Sequence, residues 1–212
     1  MAQKTQSPIN LQAHIFAKEE LDLQLNWDLK SGDVSRSQHG LEISFPPEKN
    51  NYATLNGKNF LLIGMHFHHP SEHYLDGDRY DGELHIVHQN LDDLSYLVIG
   101  VFLEVNGDDK KELSRLTTFA KSVKANRTKR EKVEVHAEDW VTTKKSKFLR
   151  YEGSLTTEPY TETVSWAVLK ESKKISQEIF GFIFGDSEPH ARALQPLNRR
   201  YVVEYDWHTI RV

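Results

Sequence analysis

The chemical feature that stands out in this sequence is a concentration of histidines. The chain has 11 histidines in 212 residues, and six of them lie between positions 66 and 88. Imidazole binds metals and titrates near neutral pH, so such a cluster could hold a metal or move protons. Cysteine is absent, which excludes a thiolate zinc site, an iron–sulfur cluster and a cysteine nucleophile.

His66 and His68 are the first candidate ligands. Residues two apart on a strand point to the same face, with Cβ atoms roughly 6–7 Å apart, so both imidazoles can converge on one metal while Phe67 points into the packing. Glu83 and His85 open a later apolar segment with the same spacing. If the two segments pair as antiparallel neighbours, His85 supplies a third ligand. Glu83 can then orient a ligand by accepting the hydrogen of its second ring nitrogen.

Three neutral histidines would leave zinc with an open fourth position, which is typical of catalytic sites. Two other interpretations use the same residues. Histidines on a strand can simply be half-exposed polar positions, and His73 and His88 are predicted to be structural hydrogen-bonding residues. Alternatively, His66-x-His68-x₃-Glu72 matches the first metal motif of the cupin barrels, in which Glu72 would be a ligand of non-haem iron. No second cupin motif follows, so that hypothesis is disfavoured.

Short alternating or apolar segments dominate the chain and predict strands. They lie at 22–27, 40–45, 52–55, 60–68, 83–89, 95–105, 163–169 and 201–205. Two helices are predicted, over 109–122, where apolar residues recur on one face, and over 177–184, where Ser176 is the expected N-cap. The fold class is therefore mostly β with a few peripheral helices, and the histidines lie on two of the strands.

Composition narrows the function classes. With 212 residues and no repeat or linker, we expect one domain over 1–212. The net charge of −4 argues against a nucleic-acid binder, and no apolar run is long enough to span a membrane. The N-terminus lacks a signal-peptide pattern, which together with the absence of cysteine favours a cytoplasmic protein, although a trimmed secreted form is compatible. Residues 121–150 hold ten basic and four acidic residues, a net of +6, which would suit a polyanion.

Four sequence blocks point to a known family. They resemble, in this order, the signature segments of the alpha-class carbonic anhydrases: QSPIN at 6–10, the histidine-bearing stretch at 60–88, YEGSLTT at 151–157 and QPLNR at 195–199. The blocks span nearly the whole chain. The resemblance implies an α+β fold with a large twisted, mainly antiparallel central sheet and short peripheral helices. It also implies zinc-dependent, reversible hydration of CO₂ to bicarbonate and a proton.

The resemblance implies roles for individual residues. The zinc ligands would be His66, His68 and His85. Glu72 would accept a hydrogen bond from the Thr156 hydroxyl. The Thr156 oxygen would then accept a hydrogen bond from zinc-bound hydroxide and so orient it. Zinc lowers the pKa of its bound water from roughly 15.7 to about 7, a value known from carbonic anhydrase itself.

Further implied residues serve the substrate and the proton. The substrate pocket would be apolar with one polar side, and its residues would be Val87, Val98, Leu155, Thr156, Thr157 and Trp166. His39 falls where the family often carries the histidine that shuttles the proton to buffer.

Three features depart from the family pattern. Gly64 stands where the family usually has a glutamine that orients the first zinc histidine, so we expect weaker zinc retention than in relatives. Glu158 replaces a usual proline. The chain also begins at the QSPIN block, without the aromatic-containing segment that precedes it in relatives. We therefore expect exposed apolar surface near the site, which a homodimer could cover.

A function of another class remains as the alternative. Some members of the superfamily have lost zinc ligands and act as recognition domains, and the basic segment at 121–150 would suit a sulfated polysaccharide or another polyanion. All three histidines are present here with Glu72 and Thr156, so the enzymatic hypothesis is favoured. A cupin-type metal oxygenase is less favoured than either.

Overall fold

The fold is built on a 12-stranded sheet, with a second, three-stranded sheet beside it. A computed structural model describes residues 4–13, 15–28, 30–37, 40–106, 118–122, 132–136, 139–141, 145–185 and 187–208. The strands are β1 (Asn10–Leu11), β2 (Ile15–Phe16), β3 (Leu23–Asn26), β4 (Lys30–Ser37), β5 (Gly40–Ser44), β6 (Tyr52–Leu55), β7 (Lys58–His68), β8 (Tyr74–Leu75), β9 (Asp78–Arg79), β10 (Gly82–Gln89), β11 (Tyr96–Val105), β12 (Lys132–Val135), β13 (Ser146–Gly153), β14 (Val164–Ile175) and β15 (Val203–Trp207).

The large sheet is mixed, with mainly antiparallel pairs. Its strands follow the order β12-β4-β5-β7-β10-β11-β14-β13-β15-β2, while β6 pairs with β7 and β3. Two pairs, β11 with β14 and β15 with β2, are parallel. The small sheet joins β1, β8 and β9. At the centre, β10 and β11 are buried on both faces. β11 is a nearly continuous apolar run, as expected for such a strand, whereas β10 also buries Glu83, His85 and His88.

The two faces of the central strands have different contents. On β7, Met65 and Phe67 point into the larger apolar core, which also contains Phe119 and Trp140. The alternate residues of β7 point to the other face, where a second apolar cluster includes Val98, Phe102 and Trp166. One extra residue of β7, Ile63, forms a bulge opposite the Val87/His88 step of β10. The alternation thus places His66 and His68 on the face of the second cluster.

The structure confirms most of the predicted elements. The expected strands are all present, and Ser176 caps helix α2 (Gln177–Ile183) by accepting the backbone N–H of Ile179. Only residues 118–122 of the predicted helix at 109–122 are described, and they form helix α1. The prediction missed β4, β12 and β13 and the two-residue strands β1, β2, β8 and β9. In β4, polar residues interrupt the alternation. Within the described residues, no helix is long and apolar enough to cross a bilayer.

Candidate metal centre and active site

Three histidines meet on the second-cluster face of the sheet. β7 and β10 are antiparallel neighbours, and their register pairs His85 with His66. The ring centroids of these two residues and His68 lie 4.7–5.0 Å apart, and their candidate ligand nitrogens all lie within 4.8 Å of one another. Nitrogens around a tetrahedral zinc ion are about 3.3 Å apart, given bonds near 2.0–2.1 Å. His85 Nδ1 and His66 Nε2 are already 3.1 Å apart.

Burial keeps His66 and His68 neutral. Burial, assisted by the neighbouring His85 ring, lowers the pKa of His66 to about 3 and that of His68 well below its ordinary value. A neutral imidazole offers the lone pair that a metal needs. Both ring nitrogens of His68 are buried and lack a hydrogen-bond partner among the described residues. Such an orphaned nitrogen costs about 1–3 kcal/mol, part of which a bound cation would remove, so the residues fit a metal ion.

Glu83 fixes the tautomer of His85. Its Oε1 lies 2.9 Å from His85 Nε2. Burial raises the pKa of Glu83, but the charges of His73 and His85 and the hydrogen bonds from their rings hold it well below its ordinary value. The ionised carboxylate only accepts hydrogen bonds, so the proton of His85 resides on Nε2. Nδ1 of His85 faces the other two histidines, and it lies 3.1 Å from His66 Nε2.

A line of buried polar contacts continues from Glu83 towards the N-terminal segment. His73 Nδ1 lies 2.7 Å from Glu83 Oε1, and its Nε2 lies 2.6 Å from Tyr151 Oη. Tyr151 Oη lies 2.7 Å from Ser7 Oγ. Burial raises the pKa of Tyr151 well above its ordinary value, so the phenol stays protonated. Gly100 leaves room for this line, because a Cβ there would lie only 3.2 Å from Glu83 Oε1.

Glu72 and Thr156 lie on another side of the histidines. Glu72 Oε1 accepts the backbone N–H of Arg192 at 3.0 Å, and the Thr156 side chain also hydrogen-bonds to this carboxyl group. Glu72 Oε2 lies 3.5 Å from His68 Nε2. Both Glu72 and Thr156 are buried. A hydroxyl, a carboxyl group and the histidine cluster therefore share one small buried volume.

Opposing effects act on Glu72. Burial raises its pKa, whereas the charge of His85 and the hydrogen bonds from Thr156 and Arg192 lower it, and the net direction is upward. These two hydrogen bonds therefore favour the ionised form, in which Glu72 can only accept.

An apolar row borders the histidine cluster. The registers of β10, β11 and β14 place Val87 beside Val98, and Val98 beside Trp166. All three are buried, and Leu155 packs against the same cluster. Thr157, the next residue after the buried Thr156, is exposed. The predicted pocket residues thus come together as an apolar wall with a polar margin.

The comparisons with known proteins agree with this geometry. The sequence model of the family described as eukaryotic-type carbonic anhydrase matches residues 1–206. The chain belongs to this family. It is therefore an enzyme of the carbonic anhydrase class, which hydrates CO₂. Family membership also removes the support for a cupin-type oxygenase.

Individual relatives cover nearly the whole chain. A carbonic anhydrase of Neisseria gonorrhoeae is 32% identical over 205 residues, which is 95% of this chain and 77% of the relative. Alpha carbonic anhydrase 3 of Arabidopsis thaliana is 31% identical, covering 94% of this chain and 73% of its own length. The solved alpha-carbonic anhydrase of Photobacterium profundum superposes with a TM-score of 0.79 at 29% identity, over 94% of this chain and 88% of that one.

The structure brings together the predicted site residues that it describes, while His39, the predicted proton shuttle, lies outside the described residues. Sequence reasoning did not identify Ser7, Tyr151, Ser154 and Arg192, which join the site to the rest of the fold. The first three lie inside the blocks that carried the family resemblance, so a signal existed for them. Arg192 lies outside those blocks, and its contact with Glu72 spans 120 positions.

Proposed function

We propose that residues 1–212 form a single catalytic domain that binds zinc through His66, His68 and His85 and catalyses the reversible hydration of CO₂ to bicarbonate and a proton. The observation that carries the proposal is the convergence of three imidazoles, of which His66 and His68 are kept neutral by burial and His85 is held at its Nε2 by Glu83. Three histidine ligands would leave a coordination position for the reaction.

The chemistry of the site divides between the metal and the surrounding residues. A bound zinc ion lowers the pKa of a coordinated water and so supplies a nucleophile at neutral pH. The Thr156 hydroxyl donates a hydrogen bond to Glu72, so the Thr156 oxygen is available to accept a hydrogen bond from that nucleophile. This contact fixes the direction from which the substrate is approached, which is a positioning effect.

The substrate and proton steps follow from the remaining residues. Val87, Val98, Leu155 and Trp166 offer an apolar surface that suits CO₂ and excludes water. Thr157 and the backbone N–H of Thr156 provide the polar side for a substrate oxygen. We assign proton export to His39 because an imidazole titrates close to neutral pH.

Stopped-flow CO₂ hydration tests the proposal. The protein is measured as prepared, after treatment with a zinc chelator, and after zinc is added back, with the metal content determined in each state. We expect one zinc per chain, loss of hydration on chelation and recovery on reconstitution. His68→Ala should lose both zinc and activity. His208→Ala is the matched control, because His208 is only half-buried and pairs with Glu20.

Two results would contradict the proposal. One is full hydration activity in the chelated protein, and the other is zinc binding that survives His68→Ala unchanged. The alternative, a polyanion-binding module, predicts retention on immobilised heparin without CO₂ hydration. Two cations of the basic segment already have acidic partners, since Lys147 contacts Glu204 and Arg150 lies 3.1 Å from Glu152.

A further inference from the structure

The proposed chemistry needs a fixed geometry between two residues from distant parts of the chain. Glu72 follows β7, whereas Thr156 lies in the segment 154–161 after β13, which we call the Thr156 loop. This loop is closed by hydrogen bonds from Leu155 N to Thr161 O at 3.0 Å and from Tyr160 N to Thr157 O at 2.8 Å. These contacts shape the loop internally, but they do not fix it relative to Glu72.

Arg192 touches both sides of this pair. Its backbone N–H donates to Glu72 Oε1 at 3.0 Å. Its guanidinium carbon lies 3.6 Å from the ring centroid of Tyr160, in the Thr156 loop. At that distance the planar cation stacks directly on the aromatic face.

The guanidinium is itself held in place by the N-terminal segment. Nη1 donates to Ser7 O at 2.5 Å, and Nη2 donates to Gln6 Oε1 at 2.9 Å. The amide of Gln6 in turn donates to Tyr160 O at 3.1 Å. Arg192, Gln6 and Tyr160 therefore form a closed set of contacts, so the arginine fork cannot rotate away without breaking several of them.

We propose that Arg192 is a positioning residue for the Thr156–Glu72 pair, holding Glu72 through its backbone and the Thr156 loop through the stack of its guanidinium on Tyr160. This inference rests on the proposed function, in which Thr156 and Glu72 orient the nucleophile. Arg192 acts through these two residues and contacts none of the three metal-site histidines.

Variants of both stacking partners test the proposal. Arg192→Ala and Tyr160→Ala should lower kcat/KM for CO₂ about tenfold or more with one zinc still bound per chain, because small misplacements of reacting groups are costly. Tyr160→Phe keeps the aromatic face and should retain near wild-type kcat/KM. Because the two residues act as one unit, the double variant should lose about as much activity as either single variant.

The ratio of two ligand dissociation constants gives a measurement that a general loss of stability would not change. A sulfonamide bound through its deprotonated nitrogen keeps one N–H, which Thr156 can accept, whereas azide has no hydrogen. In zinc-loaded wild type, the hydrogen bond to Thr156 should therefore strengthen the binding of methanesulfonamide but not that of azide. The ratio of the azide Kd to the methanesulfonamide Kd should fall about tenfold in Arg192→Ala and Tyr160→Ala, the loss expected for a hydrogen bond to a charged group.

Arg200→Ala is the matched control. Arg200 donates to the carbonyls of Leu197, Glu152 and Pro196, and its guanidinium carbon lies 5.5 Å from the ring centroid of Tyr151. No contact with Glu72 or the Thr156 loop is found for it in the described parts of the chain. The Arg200→Ala variant should lose stability without a change in the ratio of the azide Kd to the methanesulfonamide Kd. Should Arg192→Ala fail to fold, Arg192→Lys keeps the charge and the backbone N–H but loses the planar fork, and it should show the same fall in the ratio.

An unchanged binding ratio in zinc-loaded Arg192→Lys and Tyr160→Ala would overturn the inference, as would an equal fall in Arg200→Ala. Absence of CO₂ hydration in zinc-loaded wild type would instead refute the proposed function. The two failures are distinguishable, because the ratio is measured by binding and does not require turnover.

Discussion

Gly64 is the position at which we expect the first metal-site histidine to lack an outer partner. It lies two residues before His66 on β7 and faces Ser44 of β5. Among the described residues, a Cβ at Gly64 would meet only Ile43 O, at 3.1 Å, so a side chain there needs a shift of a few tenths of an ångström. We predict that Gly64→Gln slows zinc loss to a chelator by about tenfold, because outer partners of metal-bound histidines are worth about 10–100-fold in affinity. Gly64→Ala adds the Cβ without the amide and should not slow the loss; equal slowing by both variants would contradict the explanation.

Thr156 is the residue whose hydroxyl the proposed mechanism uses directly. Thr156→Val keeps the shape of the side chain and removes the hydroxyl, so we expect kcat/KM for CO₂ to fall about 100-fold with zinc content unchanged. Thr156→Ser retains the hydroxyl beside Glu72 and should keep most of the activity. The measurement is stopped-flow hydration at equal zinc occupancy. Equal losses in Thr156→Val and Thr156→Ser would show that packing, and not the hydroxyl, accounts for the effect.

At the scale of elements, His88 of β10 hydrogen-bonds to Trp27 and to the neighbouring strand β11. Trp27 Nε1 donates to His88 Nε2 at 3.0 Å, and His88 Nδ1 lies 3.3 Å from Leu97 O on β11. Burial lowers the pKa of His88 to about 4 from the ordinary 6.5. Between these two pH values the unfolded chain binds a proton that the folded chain does not. The stability contributed by neutral His88 is therefore fully present above pH 6.5 and is lost as the pH falls towards 4, by up to about 3 kcal/mol.

Urea unfolding of wild type and His88→Gln from pH 4.5 to pH 7.5 tests this linkage. We expect the wild type to be the more stable above pH 6.5, and its advantage to shrink steadily as the pH falls. The variant should show a weaker pH dependence because its amide does not titrate. A stability difference that stays constant across the range would contradict the assignment.

The sequence predicted the elements of the site better than their mutual placement. Alternation over 60–68 and 83–89 was sufficient to put His66 and His68 on one face, because strand geometry is local. The register that pairs His85 with His66 was an assumption, since nothing local specifies which residues of two strands face each other. β4 was missed because its polar sequence has little alternation. The contact of Arg192 with Glu72 arises from tertiary packing and has no counterpart in the local pattern.

At the scale of the whole molecule, distant parts of the chain close around the N-terminal segment. Ser7 N donates to Ser154 Oγ across 147 positions, and Asn198 Nδ2 donates to Lys4 O across 194 positions. Gln195 N also donates to Pro8 O at 2.7 Å. These contacts make the first described residues part of the fold, and they connect the N-terminal segment to the Thr156 loop. The homodimer expected from the sequence remains a prediction, which sedimentation at high protein concentration tests.

Ser7 lies at the centre of this closure, and its hydroxyl provides the last prediction. Ser7 is fully buried, and its Oγ lies 2.7 Å from Tyr151 Oη and accepts the backbone N–H of Ser154 at 3.1 Å. Ser7→Ala leaves one or both of these groups without that partner, and each buried orphan costs about 1–3 kcal/mol. We therefore expect the free energy of unfolding, measured in urea with excess zinc, to fall by about 2–4 kcal/mol. Lys4→Ala is the control, because Lys4 is exposed and its contact with Asn198 uses only the backbone; it should change stability by less than about 0.5 kcal/mol.

Native-state hydrogen exchange locates the effect of Ser7→Ala. In this variant the amides of the Thr156 loop should lose protection together with those of residues 5–11. Loss of protection confined to residues 5–11 would show that the two segments are not coupled through Ser7.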